Sequence, residues 1–127
     1  MREANITSKM ILVVDDDPDI RQGLTDLLES QGYTVHSVGT GWAALARVKT
    51  LTFAAVILDV QLPDQDGTEV LHLLKQYDHN LPIIVLTAAD KQDARVVLLR
   101  HEAFALLQKP YARQELVAVL SRATSMS

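Results

Sequence analysis

Cysteine is absent from the 127 residues, so neither disulfides nor thiolate metal sites are open to this chain. Positive charge is scarce as well: 12 lysines and arginines face 16 aspartates and glutamates, for a formal net charge of -4. Phosphate backbones are bound through a positive footprint, so these residues are not expected to bind nucleic acid directly, and any DNA contact would fall to another chain or domain. No apolar run approaches the roughly 20 residues that span a bilayer, so no membrane association is expected. Met1 to Lys9 is polar and lacks the apolar segment of a signal peptide, which makes the cytoplasm the default compartment. Internal repeats and low-complexity segments are missing too. At 48% hydrophobic and one-domain length, the chain has enough apolar material for a real core. Residues 1–9 read as a polar extension, 10–124 as the folded domain and 125–127 as a polar tail.

One stretch organises the rest. Val56-Ile57-Leu58 is an apolar, β-branched run that ends abruptly on Asp59, and the loop after it is punctuated by Pro63 and Gly67. Met10 to Val14 repeats the pattern and gives way to Asp15-Asp16-Asp17. Asp17 before Pro18 has the character of a helix N-cap rather than of a ligand. The first helix carries Ile20, Leu24, Leu27 and Leu28 on one face and ends at Gly32. Thr34 to Val38 is a short strand. Gly39-Thr40-Gly41 is a turn before a helix with Ala44, Leu45, Val48 and Leu51 on one side.

Phe53 to Leu58 is the third strand, and a third helix from near Gly67 shows Val70, Leu71, Leu74 and Tyr77. Pro82 to Leu86 is the fourth strand, ending on Thr87. After a loop from Ala88 to Asp93, a fourth helix carries Ala94, Val97, Leu98 and His101. Ala105 to Gln108 is a fifth strand that ends on Lys109-Pro110, and Arg113 to Ala123 is the last helix, with Leu116, Leu120 and Ala123 at helical spacing. Five apolar strands alternating with amphipathic helices predict an α/β fold, a doubly wound parallel sheet covered on both faces.

Open sheets of this kind hold ligands beyond the carboxyl ends of their strands, where the strand order reverses. In the order 2-1-3-4-5 that crevice lies between strands one and three, which end in Asp15-Asp16 and Asp59. Strands four and five deliver Thr87 and Lys109 to the same edge. No His, Cys or Ser joins them to make a hydrolase triad. Such a set of carboxylates repels itself unless a cation, a shared proton or solvent compensates it. A few hard oxygen donors with room for phosphate oxygens and water favour Mg²⁺ over Ca²⁺. A carboxylate can attack phosphorus to form an aspartyl-phosphate. Asp59, alone at its strand end, reads as the nucleophile, and the adjacent Asp15 and Asp16 as metal holders. Lys109 suits a point charge and Thr87 a hydroxyl donor.

Taken together, Val14-Asp15-Asp16-Asp17, Asp59 with Leu62-Pro63-Asp64-Gln65-Asp66-Gly67, Thr87-Ala88 and Lys109-Pro110-Tyr111 resemble the signature positions of the bacterial response-regulator receiver domain, from about Met10 to Ala123. The resemblance implies a flavodoxin-like (βα)₅ domain, in strand order 2-1-3-4-5, of a two-component signalling system. It implies Asp59 as phosphoacceptor, and a sensor histidine kinase or phosphotransfer protein as donor. Mg²⁺ would be held by Asp16, Asp59 and the Gln61 backbone carbonyl, with Asp15 assisting through water. Thr87 and Lys109 would bind the phosphoryl oxygens, and their movement would reshape the face made by helix four, strand five and helix five. A downstream effector domain or protein follows, with a homodimer on phosphorylation among the outcomes. Such a domain is a phosphoacceptor that assists its own phosphorylation and dephosphorylation, not an enzyme with turnover.

Two positions depart from the family pattern. Leu106 stands where an aromatic ring commonly swings inward, and Glu102-Ala103 replaces a frequent Gly-Ala pair. Asp64 and Asp66 read as solvated turn formers. The four histidines at 36, 72, 79 and 101 read as surface or satisfied side chains, and Trp42 as a half-exposed packing residue. Two competing readings stand beside the main one. Asp15-x-Asp17 after a strand fits the opening of a haloacid-dehalogenase-like phosphatase, and Leu106 hints at a receiver-like interaction module that never carries phosphate. The short tail suits a single-domain regulator and a receiver cut from a longer protein equally.

Overall fold

The computed structural model describes residues 9–60, 67–89 and 94–125, with the side chains of Ala94, Arg95 and Leu98 outside that description. Ten elements alternate: β1 (Met10–Val14), α1 (Pro18–Ser30), β2 (Thr34–Val38), α2 (Gly41–Thr50), β3 (Ala55–Asp59), α3 (Gly67–Tyr77), β4 (Ile83–Thr87), α4 (Ala94–Glu102), β5 (Ala105–Gln108) and α5 (Arg113–Ser125). The five strands form one sheet in the order β2-β1-β3-β4-β5, and every pairing is parallel. This is the flavodoxin-like (βα)₅ arrangement expected from the sequence.

Successive strand residues point to opposite faces, and the sheet uses that alternation to build two cores. Leu12, Val14, Val56, Leu58, Ile83 and Val85 face Ala44, Val48, Val70, Leu71 and Leu74 of α2 and α3. Ile11, Val13, Ala55, Ile57, Ile84 and Leu86 face Leu24 and Leu28 of α1 and Leu116, Val119, Leu120 and Ala123 of α5. With helices on both faces, β3 and β4 are buried along their whole length, which is why they read as continuous apolar runs. Each fully buried Leu or Ile contributes about 1.5–3 kcal/mol relative to exposure.

The helix ends follow from local chemistry. Asp17 Oδ1 accepts from the N–H groups of Asp19 (2.9 Å) and Ile20 (3.4 Å), capping α1 ahead of Pro18. At the other end Gly32 takes φ 94°, and the Gly32 and Tyr33 N–H groups bond back to the Glu29 and Leu28 carbonyls. That closing pattern uses a left-handed residue, and glycine supplies it at least cost. Gly67 is glycine for room instead. Its N–H donates to the Val60 carbonyl at 3.1 Å, and a Cβ there would lie 2.1 Å from Val60 Cα.

Four expectations about buried faces need correction. In α4 the buried residues are Val96 and Leu99, while Val97 is 49% exposed and His101 is exposed; the expected Ala94 and Leu98 lie outside the described side chains. Val96-Val97-Leu98-Leu99 is one apolar run, and such a run has no periodicity by which to choose its inward side. Tyr77, the last residue of α3, is 52% exposed. Ile20 lies in the first turn of α1 and is 42% exposed. Trp42, at the start of α2, is 60% exposed, somewhat more than the half-exposed position expected. The third strand starts at Ala55, two residues later than expected, although Phe53 is buried ahead of it.

Candidate functional site

Four strand ends meet at one edge of the sheet. Asp15 continues β1 by one rung, its N–H donating to the Val38 carbonyl at 3.1 Å, so the acid stays in the sheet while Asp16 turns out to solvent. Asp59 and Thr87 are the last residues of β3 and β4, and Lys109 follows β5. The Lys109 N–H donates to the Thr87 carbonyl at 2.7 Å, which extends the β4–β5 ladder up to the site. The Lys109–Pro110 peptide is cis.

Three acids and a lysine come together at that edge. One carboxylate oxygen from each of Asp15, Asp16 and Asp59 lies within 4.8 Å of the others. Lys109 Nζ donates to Asp59 Oδ2 at 3.0 Å. Asp15, Asp59 and Thr87 are 1%, 4% and 2% exposed, so two of the three acids are withdrawn from bulk water. Thr87 Oγ1 accepts from the Ala89 N–H at 3.0 Å, which fixes the hydroxyl at the cleft. Gln61, whose carbonyl was the fourth expected metal ligand, lies outside the described residues, as do Pro63, Asp64 and Asp66.

Asp15 shows the electrical stress of this arrangement. Its Oδ1 accepts from the Asp17 N–H at 3.0 Å, but its Oδ2 is buried without a hydrogen-bond partner among the described residues. Burial pushes its carboxyl up to about 6, and repulsion from the neighbouring Asp59 adds to the rise. The Asp17 N–H and the Lys109 charge oppose the rise without cancelling it. Among the described residues, Lys109 is the one ammonium paired with these three acids. An unpartnered buried carboxylate oxygen beside two more oxygen donors fits a small hard cation, and the donor set fits Mg²⁺.

Two residues near the acids were given no role in the sequence reading, although Tyr111 stands in the Lys109-Pro110-Tyr111 motif. Tyr111 is half-buried, and burial followed by the charges of Asp15 and Asp59 raises its phenol above the ordinary value. Arg21 reaches back from α1 to the Asp15 carbonyl, Nη1 to O 2.7 Å. A lone arginine on a polar helix face carries no sequence signal of such a reach.

His36 packs edge-on against Phe53 with ring centroids 5.9 Å apart, and His72 Nδ1 pairs with Glu102 at 3.1 Å on the surface between α3 and α4. The phosphatase reading fails on geometry. Asp17 is an exposed helix cap outside the acid cluster, so Asp15-x-Asp17 does not form a catalytic pair.

Residues 11–121 match the family model for the response regulator receiver domain. The chain belongs to that family. It is 42% identical over 111 residues to the response regulator MprA of Mycobacterium ulcerans, covering 87% of this chain and 48% of MprA. It is 33% identical over 117 residues to the probable transcriptional regulatory protein TcrX of Mycobacterium tuberculosis, covering 92% and 50%. The receiver domain thus spans about half the length of the curated relatives it matches. Among solved structures, the receiver domain of the Pseudomonas aeruginosa PAO1 sensor histidine kinase PA1611, with a magnesium ion coordinated in its active-site cleft, superposes with a TM-score of 0.85 at 30% identity. That match covers 94% of this chain and 99% of the other.

Proposed function

We propose that this receiver domain accepts a phosphoryl group on Asp59 from a phosphohistidine of a sensor histidine kinase or phosphotransfer protein, in the cytoplasm, with Mg²⁺ held by Asp15, Asp16, Asp59 and the Gln61 carbonyl. The observation that carries the reading is the 3.0 Å contact of Lys109 with a nearly buried Asp59, inside a cluster whose Asp15 keeps an oxygen with no partner among the described residues. A carboxylate oxygen of Asp59 forms the new bond to phosphorus. The P–N bond breaks, and its electron pair stays on the donor imidazole nitrogen. Bound Mg²⁺ would neutralise charge on the phosphoryl oxygens and help hold them in place.

The remaining residues position and neutralise. Lys109 holds Asp59 toward the cleft before transfer, and afterwards its ammonium pairs with a phosphoryl oxygen, because esterification moves the negative charge outward. The Thr87 hydroxyl accepts in its bond from Ala89 and has its proton to offer to the phosphoryl group. Thr87 and Lys109 are joined through the backbone, so their shifts would be felt together along β4 and β5. Leu106 is partly buried and packed against the core, and as a leucine it offers no ring to swing inward. Reshaping of the α4–β5–α5 face would therefore run through Thr87 and Lys109. The effector is a further domain or a partner protein. The domain assists its own phosphorylation and dephosphorylation without acting as an enzyme on other substrates.

Trp42 opens α2 at the same sheet edge and serves as the reporter. Beryllofluoride with Mg²⁺ is expected to change its fluorescence in the wild type and not in Asp59→Ala. An unresponsive wild type, or an equal response in the variant, overturns the reading and favours an interaction module that never carries phosphate.

A further inference from the structure

Asp15 is held from three sides. Its N–H bonds the Val38 carbonyl on β2, its Oδ1 takes the Asp17 N–H, and its carbonyl takes Arg21 Nη1 at 2.7 Å. Among the described residues only Oδ2 is left without a partner, buried beside Asp16 and Asp59. Beyond the Asp15 N–H the strand ends, and among the described residues no backbone bond fixes the Asp15–Asp16 peptide plane, whose rotation would swing both acids at once. The hydrogen bond from Arg21 is what restrains it.

Gly39 makes that bond sterically possible. A Cβ at Gly39 would lie 2.8 Å from Arg21 Nη1 and 3.9 Å from the Asp15 carbonyl oxygen. Among the described residues only Gly32 has positive φ, so backbone conformation does not demand glycine at 39; the guanidinium does. The always-charged, rigid fork of arginine is suited to hold a carbonyl through such a notch.

We infer that Arg21 is a positioning residue for the acid cluster: seated through the notch at Gly39, it fixes the Asp15–Asp16 peptide and thereby the carboxylates that receive the cation. This rests on the reading of Asp15, Asp16 and Asp59 as a Mg²⁺ site. A competing role, that Arg21 acts as a mere counter-charge, has the opposite sign. Removing a cation from beside the acids would tighten Mg²⁺ binding, whereas removing a support would weaken it.

The test is a Mg²⁺ titration followed by Trp42 fluorescence and, independently, by calorimetry, for wild type, Arg21→Gln, Arg21→Lys and Gly39→Ala. Supporting groups behind metal ligands commonly account for a tenfold or greater share of affinity, so Arg21→Gln and Gly39→Ala are each expected to weaken binding about tenfold. Gly39→Ala keeps the charge and only unseats it, and the flexible arginine can move aside, so this variant is expected to melt close to wild type in EDTA. Arg21→Lys recovers part of the loss. The double variant is no weaker than Arg21→Gln, because both changes remove one contact. Tighter binding in Arg21→Gln, or wild-type binding in a folded Gly39→Ala, overturns the inference and leaves the Mg²⁺ site standing. A wild type that binds no Mg²⁺ by either readout overturns the site and the inference together.

Discussion

Lys109 Nζ reaches across the end of β4 to Asp59 Oδ2, 3.0 Å away, and supplies the one ammonium within hydrogen-bonding reach of the acid cluster among the described residues. Lysine and a divalent ion therefore compete for the same negative charge. Two unit charges a few ångströms apart at an effective dielectric near 20 interact by about 4 kcal/mol, part of which solvent screens at the partly exposed lysine. Lys109→Met is expected to bind Mg²⁺ about tenfold more tightly than wild type while losing the beryllofluoride response of Trp42. Calorimetric titration checks the first half. Unchanged or weaker Mg²⁺ binding would mean that the lysine does not offset the acids.

Asp15 makes the metal-free protein pH-sensitive in a defined direction. Its carboxyl is raised from 3.8 to about 6, so between those values the folded state holds a proton that the unfolded chain has released. The contribution of this group to stability is therefore highest below pH 3.8, declines as pH rises through the window and stays low above about 6. A shift of this size corresponds to roughly 3 kcal/mol. In EDTA at neutral pH, Asp15→Asn is expected to be more stable than wild type by up to that amount, with the advantage shrinking toward pH 4. Urea unfolding at two pH values decides it; a pH-independent difference contradicts the burial of a charged Asp15.

Glycines 67 and 23 are expected to respond oppositely to alanine. At Gly67 the added Cβ would meet Val60 Cα at 2.1 Å, so β3 and α3 must part, and a loss of about 2–3 kcal/mol is expected. At Gly23 nothing lies within 4 Å, and the residue is inside a helix, where alanine is favoured by about 0.5–1 kcal/mol. Chemical denaturation of the two variants makes the comparison. A tolerated Gly67→Ala would show that the close approach of these two backbones is not needed.

Much of this architecture is legible because apolar runs stop sharply at polar residues. Each of the four buried or half-buried site residues, Asp15, Asp59, Thr87 and Lys109, follows or ends such a run, and parallel strands bring those ends to one edge whatever their separation in sequence. Helix faces are legible where apolar residues are sparse, as in α3, where Val70, Leu71 and Leu74 are all buried. They are not where four apolar residues run together, as at 96–99. Reach is the other hidden quantity. The bond from Arg21 to Asp15 and the pair of His72 with Glu102 depend on where long side chains fold back, which neither period nor composition encodes.

The most direct test of phosphoryl acceptance at Asp59 is intact-mass analysis after incubation with acetyl phosphate and Mg²⁺, run on wild type and Asp59→Asn side by side. Wild type is expected to gain the mass of one phosphoryl group, to lose it on chelation-free standing or mild base, and to gain none in EDTA, while Asp59→Asn stays unmodified. An equal gain in Asp59→Asn, or none in wild type with Mg²⁺ present, would contradict the assignment.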